Sequence, residues 1–307
     1  MNSLPSIGIV GLGFVGDALR QAITATQFPD NSANSLRHIN LHTYDINPDT
    51  DPTAPTLRCL VNESDMIFVC VPTPSGPGGL CDTSIVREVI NDIQRFASSH
   101  KIIVIKSTVS IGTTDSVQDL CKEHTIIFNP EFLTEANYRS DYLNGAIIIG
   151  RSKWAPMHFA RLVAEVQVEI ISRVSDTGTP PTRVRIVTAR EAELFKYTSN
   201  IFLATKVSLV NELYDIAARL HIDWDTVRSL AVEDHRLGPT HWSVPGPDGR
   251  RGWGGTCLPK DLAAMIHTGL AARIPTPLLS AVWNRNVEID RPERDWELLV
   301  GRAISEK

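Results

Sequence analysis

The stretch Ile7-Gly8-Ile9-Val10-Gly11-Leu12-Gly13-Phe14-Val15-Gly16 decides the fold. A short apolar run leads straight into G-x-G-x-x-G, and Ala18, Leu19, Ala22 and Ile23 follow at helical spacing within Asp17 to Gln27. Strand, glycine turn and helix in this order form a phosphate-binding unit. Gly11 permits the tight turn, Gly13 lets a pyrophosphate reach the backbone, and Gly16 lets helix and strand pack closely. Phe14 and Val15 lie within the turn and count with the three glycines as candidate cofactor contacts.

The next apolar run ends in Tyr44-Asp45. An acid at this place holds a ribose 2′-hydroxyl and repels a 2′-phosphate, which favours NAD over NADP. The plainer reading of Asp45 is a turn residue before Asn47-Pro48.

Further apolar runs occur at Ile39 to Tyr44, Met66 to Val71, Ile102 to Ile105, Ile126 to Phe128 and Ala146 to Gly150, separated by helix-length amphipathic stretches. Continuous apolar strands of this kind predict a parallel sheet covered on both faces, hence a doubly wound α/β domain. Ligands of such sheets sit past the carboxyl ends of strands, which makes Pro72-Thr73-Pro74 and Lys106-Ser107-Thr108 candidate contacts; as isolated segments both read as plain loops.

The second half changes character. No Gly or Pro occurs from Thr182 to Leu237, which predicts helix, with one element of about 50 Å over Ile186 to Leu220 at ~1.5 Å per residue. Lys196 and Asn200, four apart, share a face of it. Spacing alone reads them as a solvated lysine and a neutral amide. From Gly238 to Pro259 ten of 22 residues are Gly or Pro, so a loop follows, closing in Arg251-Gly252-Trp253-Gly254-Gly255-Thr256-Cys257-Leu258-Pro259-Lys260-Asp261. Its glycines permit close backbone approach, Cys257 is a candidate nucleophile, and Lys260 and Asp261 are placed to adjust its protonation.

The expected architecture is therefore α/β: a doubly wound parallel-sheet, Rossmann-like domain over 1–178, an all-helical domain on a long central helix over 179–290, and a tail over 291–307. A length of 307 residues suits two domains, and a net charge of −5 without charge blocks shows no nucleic-acid or membrane footprint. A small molecule is the expected partner. Five cysteines without a C-x-x-C pair suggest neither a disulfide framework nor a zinc ribbon and fit a cytoplasmic chain, and no apolar run suggests a signal or a membrane span. The thiols at 59, 70, 81 and 121 read as small hydrophobes. His235 and His241 have no metal-spaced partner.

Together GLGFVG, VPTP, KSTVSIGTTD, NPEFLTEA, ELFKYTSNIFLATKVSLVNE, DHRLG and GWGGTCLPKD, from Gly8 to about Asn286, resemble the UDP-glucose/GDP-mannose dehydrogenase family in order and spacing. The resemblance implies oxidation of a nucleotide sugar's primary alcohol to a carboxylate with two NAD. It puts the nucleophile on Cys257, the catalytic Lys and Asn on Lys196 and Asn200, and the groups that handle water on Glu131, Asp261 and Thr108. It also implies cofactor contacts at Gly11, Gly13, Phe14, Val15, Gly16, Asp45, Pro72, Thr73, Thr108 and Lys260. The sugar pocket falls on Glu131, Phe132, Leu133 and Glu135, with Gly254 beside Cys257. Arg236 matches an arginine that crosses a dimer interface to the substrate, which implies a homodimer through the central helix.

Members of the family continue into a third, nucleotide-gripping domain, for which the 21 residues after Asn286 leave no room. The expectation is a short form whose substrate is a nucleotide sugar or a smaller, phosphate-bearing sugar alcohol. Arg250 and Arg251 are open to two readings, phosphate contacts or solvated side chains. A two-electron β-hydroxyacid-type dehydrogenase and a non-catalytic NAD-binding partner protein are the alternatives; the Cys257 loop speaks against the first and the intact Lys196, Asn200, Cys257 and Asp261 against the second.

Overall fold

The computed structural model describes residues 4–25, 39–134, 141–142, 145–174 and 183–305. Glu135 therefore lies outside the described residues. Two compact units emerge, Met1–Thr73 with Thr83–Lys196 and Pro74–Asp82 with Tyr197–Lys307. Their division runs inside a helix, between Lys196 and Tyr197, rather than in the segment ahead of it, and the chain's last residues belong to the second unit.

The first unit is a seven-stranded sheet in the order β2-β1-β3-β4-β5-β6-β7. Its strands are β1 (Ile7–Val10), β2 (Leu41–Tyr44), β3 (Met66–Val69), β4 (Ile102–Ile105), β5 (Thr125–Phe128), β6 (Ile147–Arg151) and β7 (Val184–Thr188). Alternation along each central strand builds two cores. Met66, Phe68, Ile102 and Val104 face one side with α1 (Phe14–Ala25) and α5 (Met157–Val174), while Ile67, Val69, Ile103 and Ile105 face the other with α2 (Leu57–Glu63), α3 (Ser84–Phe96) and α4 (Thr113–Leu120). Every residue of β1, β3, β4 and β5 is buried, the reason these runs read as continuously apolar.

Two details correct the sequence reading. The sheet is mixed, because β6 pairs antiparallel with β5, Phe128 against Gly150, and β7 then runs parallel to β6. The stretch Val184 to Thr188, expected as helix, is a strand. Four of its five residues are β-branched, a composition that favours strand and that the absence of Gly and Pro does not reveal.

The second unit is helical. It holds most of α6 (Ala189–Arg219), then α7 (Trp224–Glu233), α8 (Leu258–Ala271) and α9 (Pro277–Arg285). At 31 residues α6 is roughly 46 Å long. Its core gathers Trp253, Trp283 and Trp296 around Ala204, Leu262 and Val282.

In the first unit, α6 is fastened to α4 by Glu193, which is fully buried. Its carboxylate accepts from the Gly112 and Thr114 N–H groups and from the Thr114 hydroxyl, capping the open amides at the start of α4. Replacing Glu193 by Ala strands these donors, with an expected loss of about 2–4 kcal/mol in urea unfolding. Glu193→Gln, which keeps one acceptor, is expected to lose less.

Candidate active site

The glycine turn opens directly from β1. Gly11 has φ +91°, and a Cβ there would meet the Cys70 carbonyl at 2.8 Å; a Cβ on Gly16 would stand only 1.9 Å from the Gly11 carbonyl oxygen. Gly13, by contrast, has nothing within 4 Å of a built Cβ, so its side of the turn is open to a ligand. The Gly11 N–H donates to the Tyr44 carbonyl at 2.9 Å, registering the turn on the end of β2. Asp45 then accepts from the Leu12 N–H at 2.5 Å and from the Asn47 N–H at 2.8 Å. The carboxylate is thus fixed beside the turn with lone pairs to spare. An open, amide-lined turn with a fixed acid beside it fits a dinucleotide.

The loops after β3 and β4 are tied together at the same edge. The Ser107 hydroxyl donates to the Val71 carbonyl at 2.7 Å, and Thr73 and Thr108 are buried while Pro72 is exposed.

A buried charge cluster completes this part of the first unit. Lys196 Nζ pairs with Glu131 Oε1 at 2.9 Å, and Glu131 Oε2 accepts the Leu133 N–H at 2.7 Å. Burial raises the Glu131 carboxyl, but the Lys196 charge and these hydrogen bonds outweigh it and hold the group below the usual range. Glu131 is a carboxylate at neutral pH. The Lys196 ammonium also lies 5.4 Å from the Phe132 ring centre, and Phe132 meets Phe195 edge to face. Lys106 opens the Lys106-Ser107-Thr108 segment after β4. It is buried, donates to Asn129 Oδ1 at 2.9 Å, and lies close enough to Glu131 and Lys196 to couple with both charges.

The second unit carries the other cluster. Cys257 occupies the N-cap position of α8 without a side-chain hydrogen bond to its first amides, and the Thr256 hydroxyl lies 3.7 Å from its sulfur. Three residues on, Lys260 Nζ pairs with Asp261 Oδ1 at 2.6 Å, and the other Asp261 oxygen accepts from Asn200 Nδ2 at 2.5 Å. Asp261 is 1% exposed. Burial works against the Lys260 ammonium, but Asp261 and the nearby thiols Cys257 and Cys81 hold its pKa well above the ordinary value. Lys260 is a permanent cation at the foot of the Cys257 helix, and Asp261 engages its ammonium.

Burial pushes the Cys70 thiol up to about 12 and the Cys121 thiol up to about 11, whereas Cys81, also buried, lies close enough to Lys260 to couple with its charge. Of the two arginines of the loop, Arg250 is exposed and Arg251 half-buried, and both stand in ion pairs. Arg251 is held by Asp215 at 2.8 Å and Asp290 at 3.1 Å, and Arg250 by Asp295 at 3.0 Å. Arg236 is exposed and paired with Asp234, two residues away. Gly254 owes its lack of a side chain to Arg291, whose guanidinium carbon would lie 2.6 Å from a Cβ there. Among the described residues no three His, Cys, Asp or Glu side chains gather as a metal site, and no helix is long and apolar enough to cross a membrane.

Residues 53–166 match the NAD binding domain, and residues 190–288 the central domain, of the UDP-glucose/GDP-mannose dehydrogenase family. The chain belongs to this family. It is 30% identical over 235 residues to the UDP-glucose 6-dehydrogenase of Pseudomonas aeruginosa, covering 73% of this chain and 49% of that protein. It is 32% identical over 233 residues to the UDP-glucose 6-dehydrogenase of Rickettsia bellii, covering 74% and 50%. The chain thus spans about half the length of these curated relatives. The solved structure of a UDP-glucose dehydrogenase from Pyrobaculum islandicum superposes with a TM-score of 0.74 at 26% identity, over 92% of this chain and 68% of that one.

Lys106 gives this dehydrogenase-family chain a titration of its own. Burial lowers its ammonium from the ordinary 10.5 to about 8. Between these values the unfolded chain binds more protons than the folded one, so stability rises with pH across that window. In urea unfolding from pH 7 to 10 the midpoint is expected to climb above about pH 8, and Lys106→Met is expected to flatten the climb.

Proposed function

We propose that the chain is an NAD-dependent dehydrogenase that oxidises the primary alcohol of a nucleotide-sugar-like substrate to a carboxylate, removing four electrons in two steps. One observation carries this reading. Cys257 stands at the start of α8 with the Lys260–Asp261–Asn200 cluster one turn behind it, an arrangement that a single alcohol-to-carbonyl oxidation does not need. The matched family domains and the UDP-glucose 6-dehydrogenases among the relatives support the substrate class. A smaller phosphate-bearing sugar alcohol is the second substrate to try.

Gly11, Gly13, Gly16 and Asp45 would hold NAD, with Phe14, Val15, Pro72, Thr73, Thr108 and Lys260 as further contacts. Bound NAD supplies the hydride acceptor for each oxidation. In the first step Glu131, ionised under the influence of Lys196, draws the alcohol proton through a water shared with Thr108. The Cys257 thiolate then adds to the aldehyde carbon as a thiohemiacetal, whose oxidation leaves a thioester. Lys196 supplies positive charge and Asn200 a hydrogen bond for the oxyanions that develop. Asp261 takes a proton from the water that hydrolyses the thioester and frees the thiol. Phe132, Leu133, Glu135 and Gly254 are the further substrate contacts of this reading.

A homodimer through α6 belongs to the same proposal. Phe202, Leu209 and Ile216 recur every seven residues on this helix, Leu213 and Leu220 follow the latter two by four, and all are exposed large apolar side chains. This is the seam by which helices pair. Arg236, exposed on the segment after α7, is the residue that would reach a partner's substrate.

With UDP-glucose as first substrate, then GDP-mannose and non-nucleotide sugar phosphates, the native chain is expected to yield two NADH per molecule oxidised. Cys257→Ala is expected to keep NAD binding and lose acid formation; two NADH from this variant would refute the thiol's role, and one from the native chain would favour the two-electron alternative. Light scattering is expected to show a dimer that Leu209→Asp with Ile216→Asp splits. A native monomer would remove Arg236 from the site.

A further inference from the structure

We infer that Asn286 is the positioning residue for the Cys257 thiol, acting through the backbone of Trp253; the inference rests on the reading of Cys257 as nucleophile. Asn286 opens a π turn, Asn286–Asp290, directly after α9, and the Arg291 N–H closes that turn on the Asn286 carbonyl at 2.7 Å. Turns of this type are rare and frequently lie at functional sites. Here the side chains of Asn286 and Asp290 both reach the loop that leads to Cys257.

The amide of Asn286 brackets one residue. Its Oδ1 accepts the Trp253 N–H and its Nδ2 donates to the Trp253 carbonyl, both at 2.9 Å, with Asn286 itself 0% exposed. A Cβ on Gly252, whose φ is +65°, would lie 2.2 Å from Asn286 Oδ1, so only glycine lets the loop come this near. Four residues away, Asp290 accepts from Arg251 at 3.1 Å and from Arg285 at 2.9 Å. The Trp253 indole is fixed in turn, donating to the Ser208 hydroxyl at 2.9 Å.

Between Trp253 and Cys257 stand only Gly254, Gly255 and Thr256. Gly255 has φ +73°, a conformation that favours glycine, while Gly254 packs against the Arg291 guanidinium. The bracketed Trp253 therefore fixes one end of the short span whose other end is Cys257 at the start of α8. Addition of a thiolate to an aldehyde depends steeply on approach geometry, whereas the first oxidation does not involve the thiol. Loosening Asn286 should thus uncouple the two oxidations, with aldehyde escaping before Cys257 captures it.

The test uses the full chain with NAD and UDP-glucose. Asn286→Ala is expected to form aldehyde within about threefold of the native rate, to form acid at least tenfold more slowly, and to lower NADH per substrate from two toward one. A hydroxylamine trap should collect the released aldehyde. Asn286→Asp, which keeps the acceptor for the Trp253 N–H, should fall between, and Gly252→Ala should reproduce the uncoupling if Asn286→Ala fails to fold. Ser208→Ala, which removes only the indole's partner, should lower stability without changing the product ratio. Equal loss of both oxidations in Asn286→Ala, or acid formation at the native rate, would overturn the inference. One NADH per substrate from the native chain would instead overturn the four-electron reading. In that case iodoacetamide labelling of Cys257, followed by peptide mass spectrometry, decides the inference by itself: a changed rate in folded Asn286→Ala upholds the positioning role, and an unchanged rate overturns it.

Discussion

Helix α6 must bury three polar side chains within two turns, and much of the candidate chemistry depends on how it does so. Glu193 finds the open amides of α4, Lys196 finds Glu131, and Asn200 finds Asp261. A buried charge or amide without a partner costs several kcal/mol, so each side chain dictates what another segment must present. The loop after β5 has to offer a carboxylate at Glu131, and the first turn of α8 has to offer one at Asp261.

The two clusters solve the burial of charge differently. Glu131 and Lys196 neutralise one another, with a backbone amide and the Phe132 face completing the surroundings, and this leaves a carboxylate that stays ionised in a nearly dry place. Lys260 and Asp261 are adjacent in sequence and pair across the first turn of α8, with Asn200 taking the second carboxylate oxygen. Both arrangements are preorganised. A site whose charges are already satisfied and oriented has little to rearrange when charge develops on a bound molecule.

Much of the fold was legible because its signals are local. The continuous apolar runs marked six strands of the sheet to within about two residues, and the glycine turn announced the helix after β1. The seventh strand was hidden inside a stretch free of Gly and Pro, since that absence permits helix and strand alike. Direction was hidden too: nothing in Ala146 to Gly150 distinguishes a strand that runs antiparallel to β5 from one that runs with it. The candidate site divides in the same way. Gly11, Gly16 and Cys257 stand where their neighbours in sequence place them. Glu193, Asn286 and Asp290 gave no warning, because a glutamate on a helix or an aspartate after one looks solvated until the fold closes over it.

Sequence by itself determined the α/β half, the long helix, the glycine-rich loop and the residue types able to bind a dinucleotide and attack a carbonyl. Motif order also determined the family. Tertiary structure decided which of those residues meet. It paired Lys196 with Glu131 and Asn200 with Asp261, engaged Arg250 and Arg251 in internal ion pairs, and set Asn286 against Trp253. The reason is physical. Backbone propensity and hydrophobic period act over a few residues, whereas burial of charge is settled only when segments far apart in sequence are brought together, as Glu193 and Gly112, 81 residues apart, are.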